Sequence, residues 1–392
     1  MLLRKIGLSA LLATAMCTSA QSQIKKVLVT DFIFGSVHAV GRTKATELVK
    51  LIGTDLSFTT EVATTEGKIT ADYVKGFDLV VWNNMSQNGL QSAATKAVWQ
   101  AYLDGGGAIL ALHASGDTRT GTWTYFMEGL LDATDQIHSA VEPADVWIHN
   151  DAIASNGQWH PVLKNQATNF KKYSVTVNGT AQQKFATVWT DEWYVFPKDP
   201  SPATKDLTVL LELDEFNVRG VTNWNPNETK TGYHPMSWTR ENIGAGKGRI
   251  VYLVTGHDDK IHEVRDKGLK DLWKNSMLWA TKNSTGCTNP ASANFNQWVD
   301  KDDGTCQGVA VNDSRFPISD IRVEPGLNGV SIPFSGRFQV VLRDLSGRDV
   351  HKETLVCPCD VRFNTSVPKG AYFLNLNQGG RSLISGMPVT RN

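Results

Sequence analysis

His113, Ser115 and Asp117 stand together where a short apolar run ends, in the stretch Asp104-Gly-Gly-Gly-Ala-Ile-Leu-Ala-Leu-His113-Ala-Ser115-Gly-Asp117. His138 and His257 sit in similar surroundings, His257 directly after Gly248-Arg-Ile-Val-Tyr-Leu-Val-Thr-Gly256, and Glu192 lies in Asp191-Glu192-Trp193-Tyr194. Three imidazoles and a carboxylate drawn into one crevice suit two chemistries. One is a divalent metal centre, with His113, His138 and His257 as ligands, an ion such as Zn, and an open position for water or a sugar hydroxyl. The other is metal-free acid–base work by His113, His138 and His257 with Glu192 and Asp117, in which a carboxylate orients an imidazole that titrates near neutrality. No His-x-x-x-His pair occurs on one helix, so either site must be assembled from distant segments. A glycosidase pair of Asp117 and Glu192 is a weaker third reading. Against all three stands the plain alternative, a strand-end His bonded to a backbone carbonyl.

His38, Asn84, Trp193 and Tyr194 are the candidate substrate contacts. Acids beside aromatic rings, as in Asp191-Glu192-Trp193-Tyr194, suit sugar recognition by stacking and hydrogen bonding; the competing reading is a strand end with two buried rings. His160 and His234 each precede a proline and read as wall or structural residues.

Positioning such residues requires strands that end at one edge. Residues 24–30, 77–82, 108–112 and 248–255 are apolar runs with the length of strands covered on both faces, separated by helical patterns over 43–52, 91–103, 121–131 and 267–281. This alternation predicts an α/β fold with a flavodoxin-like parallel sheet, whose ligands bind at the carboxyl ends of the strands. Residues 141–227 change character: strand-like runs at 173–177, 185–189 and 207–213 alternate with polar, proline-containing loops, and read as an inserted β section.

The 392 residues exceed what one core usually holds, so appended modules are expected. Lys plus Arg and Asp plus Glu number 39 each, so no global field favours nucleic acid or an anionic membrane. Residues 1–20 read as a signal peptide: Arg4 and Lys5, an apolar run over 6–16, then Thr18-Ser19-Ala20. The mature chain is therefore expected outside the cell, secreted or at the surface, with no membrane span. Its remaining cysteines, Cys287, Cys306, Cys357 and Cys359, read as disulfides of an exported protein. Cys287 and Cys306 bracket a short module at 283–314, where a disulfide would contribute about 3 kcal/mol. A calcium loop at Asp300, Asp302 and Asp303 is the alternative there, although the spacing misses the EF-hand pattern. Cys357 and Cys359 flank one proline and their pairing stays open.

The core, residues 24–282, resembles the ThuA-like (trehalose-utilisation) family, relatives of the class I glutamine amidotransferase fold. The resemblance rests on Phe34-Gly-Ser-Val-His38, the stretch through His113-Ala, His138, His160-Pro161, Asp191-Glu192-Trp-Tyr194, His234-Pro-Met-Ser-Trp238-Thr-Arg240 and Gly246-Lys-Gly-Arg249-Ile-Val-Tyr252-Leu-Val-Thr-Gly256-His257. It implies action on a sugar or glycoside, with oxidised keto-disaccharides among the linked substrates; the alternative is a non-catalytic carbohydrate-binding surface protein. Amidotransferase relatives carry a Cys nucleophile after the strand where this chain has His113, and residues 21–286 contain no cysteine, so thiol chemistry is excluded. Residues 315–392, rich in alternating strands, resemble the β-sandwich sorting domain of type IX secretion through Asp344-Leu-Ser-Gly-Arg and Val367-Pro-Lys-Gly-Ala-Tyr-Phe, which implies secretion machinery as a partner.

Overall fold

The computed structural model describes residues 24–32, 38–85, 91–117, 123–133, 137–177, 180–196, 200, 206–213, 233–258, 268–290, 292–306, 321–324, 327–363, 367–378 and 381–391. The signal-like residues 1–20, the loop 33–37 and the module's end at 307–314 lie outside them.

The first half alternates as its apolar runs predict: β1 (Lys26–Thr30), α1 (Ala39–Leu56), β2 (Thr59–Ala63), α2 (Ala71–Val74), β3 (Leu79–Asn83), α3 (Ala93–Asp104) and β4 (Ala108–Leu112). Every residue of β3 and β4 is buried, which is why neither shows polar alternation. Ser92 starts α3, its Oγ accepting from the Thr95 N–H at 3.2 Å. The helix expected over 121–131 is a π-helical stretch, Tyr125–Leu131.

The chain then adds β5 (Ile137–Ile148), β6 (Lys171–Val177), β7 (Thr180–Val195), β8 (Leu207–Leu213), β9 (Pro235–Ile243), β10 (Gly248–Leu253) and α4 (Lys270–Ala280). All of β1 to β10 form one sheet in the order β2-β1-β3-β4-β10-β9-β8-β5-β7-β6. Its β2-to-β10 half is parallel and the rest antiparallel. The architecture is therefore mixed α/β: the expected β insertion continues the parallel sheet, because β9 pairs edge-on with β10. In α4, Leu272, Trp273, Met277 and Trp279 are buried, each contributing about 1.5–3 kcal/mol by leaving water. No described helix is long and apolar enough to cross a membrane.

The Cys-bracketed module packs on this core. Cys287 and Cys306 are disulfide-bonded with Cα atoms 4.7 Å apart, β11 (Thr285–Gly286) pairs with β12 (Lys301–Asp302), and Arg249 of β10 donates to Asp300 at 2.8 Å and to the Trp279 carbonyl at 2.8 Å. Asp302 accepts from Thr288 and Gly304, so the acidic loop already turns oxygens toward protein donors. A separate antiparallel sheet follows, built from β13 (Arg322–Val323), β14 (Gly329–Arg343), β15 (Asp349–Arg362), β16 (Gly370–Gln378) and β17 (Arg381–Arg391), over its own core of Val330, Phe338, Val340, Leu374 and neighbours. Cys357 and Cys359 pair with each other on β15.

Candidate metal centre

His113 follows directly on β4, with a left-handed φ of 41°. For a side chain with a Cβ that conformation is strained, and such strain collects at functional sites. The turn His113–Gly116 is held from beneath. Tyr252 Oη donates to the His113 carbonyl at 3.1 Å, and a Cβ at Gly116 would lie 2.3 Å from that hydroxyl, so only glycine fits. Ser115 Oγ donates to the Trp82 carbonyl at 2.8 Å and accepts from the Met85 N–H, which occupies its hydroxyl structurally.

The His113 ring is fully buried and its tautomer follows from its partners. Nδ1 lies 2.7 Å from the Val254 carbonyl, which can only accept, so Nδ1 carries a proton. Nε2 faces Glu192 Oε2 at 3.3 Å. Either a proton on Nε2 or a bound cation satisfies both atoms at that distance.

Glu192 and Tyr194 project from one side of β7, two residues apart. Four strand steps separate β7 from β10, about 19 Å in a flat sheet. Yet Glu192 Oε2 is 3.2 Å from Nδ1 of His257, just past the end of β10, so the antiparallel half curls back over the carboxyl ends of the parallel strands. Asp191 fastens the two together. Its buried carboxylate accepts from the Gly256 N–H at 2.8 Å, the His257 N–H at 3.2 Å and the Glu192 N–H at 2.8 Å, with His113 Nδ1 at 3.7 Å. Burial raises the Asp191 carboxyl, against the pull of His113 and these three N–H groups.

His113 Nε2, Glu192 Oε2 and His257 Nδ1 form a triangle with edges of 3.3, 3.2 and 3.3 Å. His38 joins them: one donor atom from each of His38, His113, Glu192 and His257 lies within 4.8 Å of the others. The His38 ring stands edge-on to those of His113 and His257, and its buried Nδ1 has no hydrogen-bond partner among the described residues. Burial, then the neighbouring imidazoles, lower its pKa to about 3, keeping the ring neutral. Burial works to raise the Glu192 carboxyl, but hydrogen bonds from His113, His138 and His257 hold it far below the usual carboxylate range. At His257 burial works the other way, and the Glu192 hydrogen bond and charge raise the pKa on balance.

His138 lies on β5 opposite Tyr194, beside a bulge between His138 and Val141. Its Nδ1 is 2.8 Å from Glu192 Oε1 and 2.9 Å from the Ser139 carbonyl, so that nitrogen is the donor and Nε2 the acceptor of the neutral ring. Among the predicted ligands, His113 and His257 thus share the four-donor group with His38, while His138 meets the other oxygen of Glu192. Tyr194 Oη lies 3.4 Å from His113 Nε2. Trp193 is buried, its indole N–H on the Glu142 carbonyl at 2.7 Å. The Asn84 amide spans the Gly256 carbonyl at 3.4 Å and the Ala114 N–H at 3.3 Å, tying together the turns that carry His257 and His113. Asp117 is buried at the end of the His113 turn, its N–H on the Ala114 carbonyl. His160 packs between Trp279 and Trp298, and His234 lies 2.8 Å from the Tyr194 carbonyl. Asp191, which the sequence offers only as an acid of the sugar-recognition stretch Asp191-Glu192-Trp193-Tyr194, is a positioning group that pins the Gly256-His257 turn.

The family model described as ThuA, trehalose utilisation, matches residues 26–280. Among solved structures, a protein described as ThuA-like from Bacteroides uniformis is 21% identical with a TM-score of 0.48, covering 66% of this chain and 92% of its own. Another from Parabacteroides merdae is 16% identical with a TM-score of 0.41, covering 72% and 96%. A cytoplasmic protein of Salmonella typhimurium is 8% identical with a TM-score of 0.40, covering 66% and 99%. No curated protein matches the chain significantly.

Proposed function

Since the chain belongs to the ThuA, trehalose-utilisation, family, we propose that it is a metal-assisted enzyme acting on a sugar or glycoside, an oxidised keto-disaccharide among the candidates. One observation carries the reading. A tetrahedral face whose corners lie 2.0–2.1 Å from a central Zn has edges of about 3.3–3.4 Å, and the triangle of His113 Nε2, Glu192 Oε2 and His257 Nδ1 has edges of 3.3, 3.2 and 3.3 Å. His38 Nδ1, without a hydrogen-bond partner among the described residues, and the close approach of His113 Nε2 and His257 Nδ1 to one carboxylate oxygen suit donors arranged for a cation. The Nδ1–H of His113 on the Val254 carbonyl also fixes the ring's orientation, as such bonds do for metal-binding imidazoles.

A divalent ion there supplies Lewis-acid polarisation of a sugar oxygen. The proton handling falls to the chain. Glu192 Oε1 holds the Nδ1–H of His138, so His138 would act as a base backed by a carboxylate. Tyr194, whose hydroxyl lies 3.4 Å from His113 Nε2, would donate to a sugar oxygen held there.

Elemental analysis of the purified chain tests the proposal: about one equivalent of divalent metal is expected, lost in His113→Ala and His257→Ala together with turnover of keto-disaccharides. A metal-free acid–base site is the second reading, favoured by the three imidazoles that already bond Glu192. Full turnover after exhaustive chelation would select it and reject the metal.

A further inference from the structure

A cleft lies apart from the four-donor group of His38, His113, Glu192 and His257. Between the Gly157–Ala167 loop and the disulfide-closed module is a cleft of about 450 Å³ that shares no lining residue with the four-donor group. The geometry points to a carbohydrate-binding subsite here, for about one or two sugar rings at this volume.

Its lining is chemically mixed. Trp159 offers an indole on one wall, with Leu163 and Val299 as further apolar surface. Lys164 and Asp303, 3.8 Å apart, cancel each other's charge, so the cleft favours neither an anion nor a cation. Thr285 adds a hydroxyl that accepts from Lys164 at 3.5 Å and keeps a proton to donate, and Thr305 one that donates to Asp303 and keeps lone pairs to accept. A neutral ligand with an apolar face and a rim of hydroxyls satisfies this set, and a pyranose is such a ligand: its C–H face stacks on indole while its hydroxyls bridge donors and acceptors. The walls are preformed. Cys287–Cys306 closes the module, Asn296 Nδ2 donates to the Trp159 carbonyl at 2.8 Å, and Asn156 Nδ2 donates to the Phe295 carbonyl at 2.6 Å, so little ordering cost falls on binding.

This subsite does not depend on the metal reading, and the experiment keeps them apart. The full chain is titrated with glucose and then trehalose while indole N–H resonances are followed, the Trp159 signal being identified by its loss in Trp159→Phe. Saturable movement of that signal is expected. Ala167→Trp, an exposed change that fills the cleft without touching the core, should weaken binding by about tenfold or more. His113→Ala should leave the cleft titration unchanged whether or not the chain holds metal. No movement of the Trp159 signal with either sugar, or movement that survives Ala167→Trp and vanishes in His113→Ala, overturns the assignment.

Discussion

The two halves of the ten-stranded sheet supply the crevice in different ways. In the parallel half the groups sit beyond strand ends, on turns: His113 after β4, His257 after β10, Asn84 after β3. The antiparallel half supplies Glu192 and Tyr194 from within β7 and His138 from within β5, by strand alternation. A turn residue is placed by the few bonds that pin its turn; a strand residue is placed by the whole ladder. The first kind can be re-aimed by small changes, and the second moves only if the sheet does.

The largest effect falls on the strand-borne carboxylate. Glu192→Gln keeps the shape and removes the charge that holds three imidazoles. Metal affinity should fall as far as in His113→Ala, beyond the roughly 10- to 100-fold typical of outer-shell changes. Calorimetric titration of the apo-protein with Zn checks it. A Glu192→Gln protein that still binds like the wild type would confine the donors to the parallel half.

Asp191 is where one half grips the other. In Asp191→Asn one acceptor oxygen becomes an NH2, which faces either the Gly256 N–H or the His257 and Glu192 N–H groups that now donate to the carboxylate. Metal affinity should drop by about 10- to 100-fold with the sheet intact, and far-ultraviolet circular dichroism alongside the titration separates the two outcomes. Equal affinity would mean that the Gly256-His257 turn holds its aim without β7.

The same turn is also held from the parallel side. Gly41 of α1 lets the backbone pass so close that a Cβ there would lie 2.3 Å from the Gly256 carbonyl oxygen and 2.4 Å from that of His257. Gly41→Ala should cost about 1–3 kcal/mol by overpacking and displace His257, read as a lower melting temperature together with weaker metal binding. A melting temperature equal to wild type would show the turn to be looser than the strands.

These contrasts explain which parts of the molecule were legible in the amino-acid sequence. The strands β1, β3, β4 and β10 show as apolar runs because both faces are covered, and the His113 and His257 turns stand out at their ends. β5 hides because Pro143 and alternating polar residues make it look like loop, and β9 because Ser237, Thr239 and Arg240 interrupt it. Strand order is set by pairing between distant segments, so an antiparallel continuation read as an insertion. Glu192 was recognisable beside two aromatic rings. That His38 would join the donor group depends on how α1 begins, which no local pattern encodes.

The smallest effect isolates an imidazole that the fold buries without a carboxylate. His160 is fully buried between two indoles, its Nδ1 accepting from the Val162 N–H at 3.3 Å. Burial, aided by the Arg249 charge, lowers its pKa to about 3 from 6.5. Above 6.5 both folded and unfolded chains hold it neutral, and it adds no pH dependence. Below 6.5 the unfolded chain takes up a proton that the folded core refuses, so stability is lost as pH falls from 6.5 towards 3. The loss should be about 1 kcal/mol near pH 6 and grow by about 1.4 kcal/mol for each further unit. His160→Phe removes the Val162 bond and lowers stability somewhat at neutral pH, yet its acid limb should be shallower than that of wild type by this amount. Denaturant unfolding at paired pH values measures the difference in slope. Parallel limbs would mean that His160 is protonated in the folded core, and that a buried imidazole in this fold needs no carboxylate to carry charge.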